Sequence, residues 1–484
     1  MPHEILIVGA GPAGSSAAIQ LARAGREVLL LDKASFPREK VCGDGLTPQA
    51  LYWLDQLGCI EEVLDRVNCC ISECDLYIDG EHILTGEFPQ NTPYPHFCTL
   101  LDRKTLDSLL VEKAVSCGVK FIPNARVKSL RYEKDCIVAE VVEGGKSKAY
   151  GARLLIGADG ANSLVSRFLG NGKRDGACAV SVRCYFEGVK INGAQIKIFF
   201  NREFFPGYGW IFTDDSGRAN CGVGYAYDQN FPLPYDIKEM FAAFVQRDLQ
   251  PYMKSARQVG RLAGWWSAFF EPRHRVGERI LLVGDAANSA DPMNGGGIHK
   301  AMESAWYAAH IAEKAVAAGD YSKEFLSEYE SVWAENSELD WRTAELFLTF
   351  AKNPQLKEFY LLLLKAIGKL TQTDQSFRNF CSGVFAGMQP QHDSICPKAL
   401  WNAFPHKPGA WLQMLFSSNG NGSAVAGELA HFMFKDALKI GSRLVSNPLS
   451  NLNWGLEILN KANRLLNCYL RDHRSPAGVP TESI

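Results

Sequence analysis

Glycines 9, 11 and 14 fall between a short apolar strand and a helix, and that layout leaves the opening of this chain little choice of fold. The segment reads Gly9-Ala10-Gly11-Pro12-Ala13-Gly14, after a strand at Glu4–Val8 and into a helix from about Ala13 to Ala24. Gly25 suits the helix C-terminal turn, and a second strand, Glu27–Leu31, ends at Asp32. Gly9 permits the tight turn, Gly11 lets a pyrophosphate approach the backbone, and Gly14 lets helix and strand pack closely. Pro12 and Ala13 open the helix, whose free N–H groups and partial positive charge attract phosphate. Asp32, with Lys33 beside it, is placed to accept hydrogen bonds from ribose hydroxyls. Three glycines alone carry little weight, since a glycine turn can bind nothing. Strand, helix and terminal acid together predict a Rossmann-like dinucleotide site, without separating a nicotinamide from a flavin.

Two later segments make that distinction. Gly157-Ala158-Asp159-Gly160 follows an expected strand, Arg153–Ile156, and precedes Ser163 and Arg167 at a helix start. An aspartate that merely caps that helix is the plainer reading of this segment alone. The stretch from Leu281 to Met302 holds a strand ending at Asp285, then Pro292, then Gly295, Gly296 and Gly297, then a helix starting near Ile298. Asp285 could accept hydrogen bonds from the ribityl hydroxyls of a flavin. Pro292 fixes a turn, and the glycines let backbone approach a flat ring. The helix N-terminus would face the N1/C2 edge of the ring, where reduced flavin carries negative charge. With Gly9 to Asp32, these segments describe one extended FAD site gripped from both ends.

The remaining sequence bounds the architecture. A chain of 484 residues, 46% hydrophobic, can bury two or three domains. A net charge of -2 gives no basic surface for nucleic acid. The N-terminus enters a strand at once and is not a signal peptide, and no apolar run reaches the roughly 18 residues of a membrane span. Phe359–Leu364, between Lys357 and Lys365, reads as a buried or interfacial helix. Fourteen cysteines lack zinc spacing and read as reduced thiols of a cytoplasmic protein. Helices are expected at Leu51–Leu57 and Lys104–Val115, and strands at Val119–Ile122 and Ile137–Val142. From Cys178 to Trp266 the texture changes to alternating β-branched and aromatic segments: Val180–Phe186, Gln195–Phe200, Gly209–Thr213 and Ala219–Tyr225. The expected fold is α/β. Residues 1–75, 100–175 and 275–330 form a discontinuous FAD-binding domain. Residues 76–99 and 176–274 form an antiparallel β-sheet substrate domain, and 331–484 a mostly helical C-terminal region. Loop breaks are expected at Pro405–Pro408 and Asn447–Asn451. The final helix, Asn453–Leu470, carries Leu456, Leu459, Ala462 and Leu466 at helical spacing. Core packing is favoured for the C-terminal helices over capping the cavity or peripheral contact with a membrane.

The three cofactor segments, together with Arg103 in Arg103-Lys-Thr-Leu-Asp107, resemble FAD-dependent oxidoreductases of the para-hydroxybenzoate hydroxylase superfamily over roughly residues 4 to 310. The resemblance implies that Arg103 approaches the phosphoribityl region. No second glycine fingerprint marks a separate nicotinamide domain, so NAD(P)H is expected to dock transiently as reductant. Lys40-Val-Cys42-Gly43-Asp44-Gly45-Leu46 resembles the Cys-Gly segment of the geranylgeranyl reductase family. Pro206-Gly-Tyr208-Gly-Trp210-Ile-Phe212 resembles that family's Y-x-W-x-F-P segment, with Thr213 in place of proline, and Gly222-Val-Gly224 follows loosely. The resemblance implies hydride transfer from reduced FAD to carbon–carbon double bonds of an isoprenoid or other lipophilic substrate. It assigns Cys42, Tyr208 and Trp210 as catalytic, with Cys42 and Gly43 beside the flavin.

Plainer readings stand next to these. Cys42 could be only a small buried residue. Asp44 and His299 as proton donors compete with a loop acid and a helix-start histidine. Arg38, assigned to cofactor binding, and Lys40 compete with a solvated charge cluster. Candidate cavity aromatics are Phe204, Phe205, Tyr208, Trp210, Trp265, Trp266, Phe269 and Phe270, most of which would serve equally as core. The alternative function is an FAD-dependent monooxygenase or halogenase acting on an aromatic or polyketide-like substrate. Halogenases carry W-x-W-x-I-P, from which Phe212-Thr213 departs. A non-enzymatic flavin or lipid carrier is the third reading.

Overall fold

In a computed structural model, residues 1–172, 176–372, 374–396, 398–399 and 448–472 are described. The first sheet is centred on the strand His3–Val8, which pairs in parallel with Val28–Leu31 on one side and Lys146–Gly157 on the other. Lys120–Ile122 and Ile280–Leu282 extend it in parallel at the two flanks. Its central strands are apolar and buried over Ile5–Val8 and Val28–Leu31, as a sheet covered on both faces requires. The helices Pro12–Arg23 and Ile298–Ala318 pack together on one face over Ile5, Ile7 and Leu30. Pro12 sits in the first turn and Gly25 follows with φ +78, matching the expected helix ends.

The second sheet has seven strands, in the order Arg257–Ala268, Cys178–Glu187, Ala219–Tyr227, Gly209–Thr213, Gln195–Phe200, Glu73–Ile78 and Glu81–Glu87. It is antiparallel except where Gln195–Phe200 runs parallel to Glu73–Ile78. This sheet therefore recruits chain from residue 73 onward. Its back is closed by the helix Ile237–Arg247, which buries Phe199, Phe204 and Phe244. The α/β fold with an inserted, mainly antiparallel sheet and a helical C-terminal region is as the sequence predicts.

Several local expectations change. The short strand expected at Arg153–Ile156 is the buried end of a 12-residue strand, Lys146–Gly157, whose exposed, lysine-bearing start pairs with Ile137–Glu143. The helix expected from Leu51 begins at Pro48, with Thr47 Oγ1 accepting from Ala50 N. The strand expected to end at Asp285 stops at Leu282, and Asp285 lies in a 3-10 turn, Gly284–Ala287. The break expected at Asn447–Asn451 gives way, from Pro448 onward, to the helix Pro448–Asp472, because proline suits a first helical turn. Asn447 and Pro405–Pro408 lie outside the described residues. In that last helix Leu456, Leu459 and Leu466 face outward at 51%, 67% and 54% exposure rather than into a core. No helix among the described residues is long and apolar enough to cross a membrane.

Candidate active site

A single cavity of about 800 Å3 runs from the first glycine turn to the second sheet. Every residue assigned above to cofactor binding or catalysis lines it, except Gly14 and Gly296. Gly14 acts through packing: a Cβ there would lie 1.8 Å from the Gly9 carbonyl oxygen. Gly296 likewise packs against His299.

At one end the helix Pro12–Arg23 starts at Gly11 with no side chain capping it, so its first N–H groups open into the cavity. A Cβ on Gly11 would reach 3.5 Å from Arg38 Nη2 and 3.9 Å from Arg103 Nη2. Those guanidiniums are held by a residue that lies within the Arg103 motif but was assigned no role there. Asp107, fully buried, accepts from Arg103 Nε at 2.8 Å and Nη2 at 2.9 Å, and pairs with Arg38 Nη2 at 3.0 Å. Burial opposes charge on Arg103, but Asp107 more than offsets it, and the guanidinium is held more firmly protonated than usual. The i,i+4 spacing of Arg103 and Asp107 on the helix Arg103–Ser116 was the available signal. Asp32 accepts from Ala10 N and Ala34 N, both at 2.8 Å, which fixes its carboxylate toward the cavity beside Lys33.

In the middle, Asp159 and Gly160 form part of the wall. The Asp159 carboxylate is occupied by the following helix, accepting from Ser163 Oγ, from Leu164 N at 2.6 Å and from Val165 N at 3.3 Å. Its first task is therefore to shape the turn. At the far end, Asp285, Pro292, Gly295, Gly297 and Ile298 converge. The 21-residue helix Ile298–Ala318 begins behind Gly297, also without a side-chain cap. Two uncapped helix N-termini thus face one cavity, a cationic pair at the first and an acid at the second. That set fits FAD: diphosphate at Gly11, Arg38 and Arg103, and ribityl and ring against Asp285 and the glycine loop.

The second sheet supplies the other wall. Tyr208 donates its hydroxyl to the Asn294 carbonyl at 2.7 Å, tying that sheet to the glycine loop, and burial pushes the phenol well above its ordinary range. Trp210 donates Nε1–H to Asn220 Oδ1 at 3.0 Å, and its ring packs edge-on against Tyr208. Asn220 Nδ2 in turn donates to the Cys42 carbonyl at 2.9 Å and to Asp44 Oδ2 at 2.8 Å. Cys42 lines the cavity, and burial raises its thiol above the usual value, so it is a neutral thiol rather than a thiolate. Asp44 is buried behind that wall with φ +64 and accepts from Tyr185 Oη; burial pushes it up to about 6. His299 is buried, sits 3.3 Å from Thr47 Oγ1 through Nδ1, and burial lowers it to about 3, so it is neutral and outside the cavity. Lys40 reaches over the Trp265 ring at 2.9 Å from its centroid, inside the cavity, where burial lowers it to about 7.

Of the eight candidate aromatics, Tyr208, Trp210, Trp265 and Phe269 line the cavity. Phe204, Phe205 and Phe270 are core instead, and Trp266, which faces away from Trp265 on the strand Arg257–Ala268, packs against that core. Phe212 also faces the cavity, as does Leu348 from the helix Leu339–Ala351, so the C-terminal region contributes to the wall. Among the described residues no cluster could hold a metal ion.

Residues 3–337 match a family model described as FAD binding domain. The menaquinone reductase of Mycobacterium tuberculosis is 31% identical over 325 residues, 64% of this chain and 76% of that protein. Digeranylgeranylglycerophospholipid reductase 1 of Methanococcoides burtonii is 29% identical over 339 residues, 68% of this chain and 79% of the relative. A geranylgeranyl bacteriochlorophyll reductase-like protein of Thermoplasma acidophilum shares the fold at a TM-score of 0.65 and 20% identity, covering 86% of this chain and 98% of its own. The chain belongs to the geranylgeranyl reductase family of FAD-dependent oxidoreductases.

Proposed function

We propose that this oxidoreductase saturates carbon–carbon double bonds of an isoprenoid or similarly lipophilic substrate, as a cytoplasmic enzyme. The observation that carries this reading is the continuity of one cavity from the diphosphate cradle to an apolar wall of Trp210, Trp265, Phe269 and Leu348. Two relatives are named for substrates of this lipophilic kind, menaquinone and digeranylgeranylglycerophospholipid. Reduced FAD, when bound, supplies the hydride.

The chain's own residues bind, orient and exclude water. Arg38 and Arg103, fixed by Asp107, hold the diphosphate end. Asp32 would accept from the ribose hydroxyls and Asp285 from the ribityl chain, with the Gly295–Gly297 backbone left open to the ring. Tyr208 clamps that loop to the second sheet, and Trp210 presents an apolar face above it. The neutral Cys42 thiol and the Lys40 ammonium are proton-bearing groups on the cavity wall; both can hold a proton near neutral pH. NAD(P)H acts as a transiently docking reductant, on the ground that the sequence shows one dinucleotide fingerprint.

The test is anaerobic. The bound flavin is reduced, and a geranylgeranyl lipid is added without oxygen. The yellow absorbance should return as the lipid gains two hydrogens per double bond. No return under nitrogen, with an oxygenated or halogenated product once air is admitted, would overturn the reading in favour of oxygen chemistry.

A further inference from the structure

The last described helix is inside-out. Its charged and polar face points into the protein. Lys352, fully buried at the C-terminal cap of the helix Leu339–Ala351, pairs with Glu457 at 2.7 Å, and Lys461 pairs with Glu345 at 3.1 Å. Trp454 Nε1 donates to the Thr349 carbonyl at 2.7 Å. The opposite face carries Leu449, Leu452, Leu456, Leu459, Leu466 and Leu470, between 43% and 75% exposed. A surface helix normally shows the reverse arrangement, and a contiguous apolar stripe in water marks an interface.

The spacing of that stripe alternates three and four without a break, and position 463, which completes the series, holds Asn463, also exposed. In heptad terms Leu449, Leu456, Asn463 and Leu470 fall at a, and Leu452, Leu459 and Leu466 at d. The flanking e positions are Asn453, Asn460 and Asn467, and the g positions Gly455, Ala462 and Tyr469, none of them charged. We infer that this helix pairs with the same helix of a second copy of the chain as a parallel two-stranded coiled coil.

The stripe is the narrow a/d seam of such a pair, not the broad apolar face of an isolated amphipathic helix. A two-fold axis along the seam sets each leucine against its own copy and Asn463 against Asn463, where the two amides satisfy one another. On a lipid surface the same amide would enter the apolar layer unpaired, and the two exposed cations beside the face, Arg464 and Arg471, are turned to Glu271 and Glu338 of this chain. The uncharged flanks impose no repulsion between identical helices. The leucines alone would bury on the order of 700 Å2 over the two copies, and the asparagine flanks bring this toward the ~1,000 Å2 that a specific interface needs. The paired helix braces Leu339–Ala351, which carries Leu348 into the cavity wall.

The test uses the full-length, FAD-loaded protein. Sedimentation should show a dimer, and Leu459→Glu with Leu466→Glu should weaken it by roughly a hundredfold while flavin content is unchanged. Asn463→Cys should give a disulfide-linked dimer on mild oxidation that the parent chain does not. Should the double variant lose its flavin, Asn463→Leu decides, because in a seam it tightens association or raises its order. A monomer at tens of micromolar, a dimer indifferent to these changes, or leucine-dependent flotation of a monomer with phosphatidylcholine–phosphatidylglycerol vesicles would each overturn the inference.

Discussion

Asp107→Asn puts the diphosphate cradle to a quantitative test. The carboxylate is fully buried and takes two hydrogen bonds from Arg103, at 2.8 and 2.9 Å, and one from Arg38 at 3.0 Å. Arg103 is itself 8% exposed, so it has almost no water to turn to. The amide keeps the shape, removes the charge and points an N–H₂ group toward a guanidinium. Breaking a buried pair from one side costs about 3–5 kcal/mol, because the remaining charge is left uncompensated. In a protein of this size that lowers the apoprotein Tm by roughly 3–5 °C. Bound FAD brings its own anionic diphosphate to the same two arginines and replaces part of the lost charge. The holoprotein should therefore lose less than about half as much. Thermal scans of apo and FAD-saturated protein, parent and variant side by side, read both numbers. Equal losses in the two forms would refute the placement of the diphosphate at Arg38 and Arg103. A loss under about 1 °C in the apoprotein would refute the buried pair itself.

Further outcomes follow from the same site. Tyr208→Phe should retain FAD and most turnover, with kcat down by less than about tenfold, because the hydroxyl is spent on the Asn294 carbonyl at 2.7 Å; steady-state kinetics showing a loss beyond about a hundredfold would instead give the Tyr208 hydroxyl a direct part in the chemistry. Asp285→Ala should weaken FAD binding by about tenfold to a hundredfold in fluorescence titrations and leave the fold intact. His299 is held at about 3 in the fold against 6.5 when free, so the unfolded chain takes up a proton the fold refuses. Its contribution to stability is whole above pH 6.5 and is lost as pH falls toward 3. Denaturant melts of His299→Gln across that range should show a shallower acid limb than the parent.

The cofactor half of this site was legible because phosphate and flavin impose local rules. Turn, helix start and strand end each demand a residue type within a few positions, as at Gly9, Gly14, Asp32 and Gly295. The residues that escaped act over long sequence distances. Asp107 organises Arg38, Asn220 meets Asp44 across 176 positions, and Leu348 enters the wall from a region with no motif. The aromatics were half legible for a related reason. Alternation tells that Trp265 and Trp266 face opposite ways, but the face that meets the cavity is set by pairing, not by composition. The leucines of the final helix were read as core because their period is helical. The charges between them were the better guide, since Glu457 and Lys461 find their partners inside.

Asn220 couples the second sheet to the Cys42–Asp44 segment, and the coupling predicts a pH dependence. Its oxygen accepts from Trp210, and its nitrogen donates to the Cys42 carbonyl and to Asp44. Asp44 has Tyr185 as its other donor, and its Oδ1 has no partner. Asn220→Ala strands the Trp210 N–H and removes one of the two side-chain donors that offset the burial of Asp44. Each stranded buried group costs about 1–3 kcal/mol, so the loss is roughly 2–4 kcal/mol in all. The part belonging to Asp44 depends on its proton. In the parent Asp44 titrates at about 6, already above its free value, and with one donor gone the folded value rises further. At pH 5 the carboxyl is protonated in the fold of both proteins, and the missing donor matters little. At pH 8 the parent fold holds an ionised Asp44 on two donors, and the variant must hold it on one or keep it protonated at a cost. The loss of stability from Asn220→Ala should therefore be larger at pH 8 than at pH 5. A loss that does not vary between the two would mean that Asp44 and Asn220 are neighbours without being coupled.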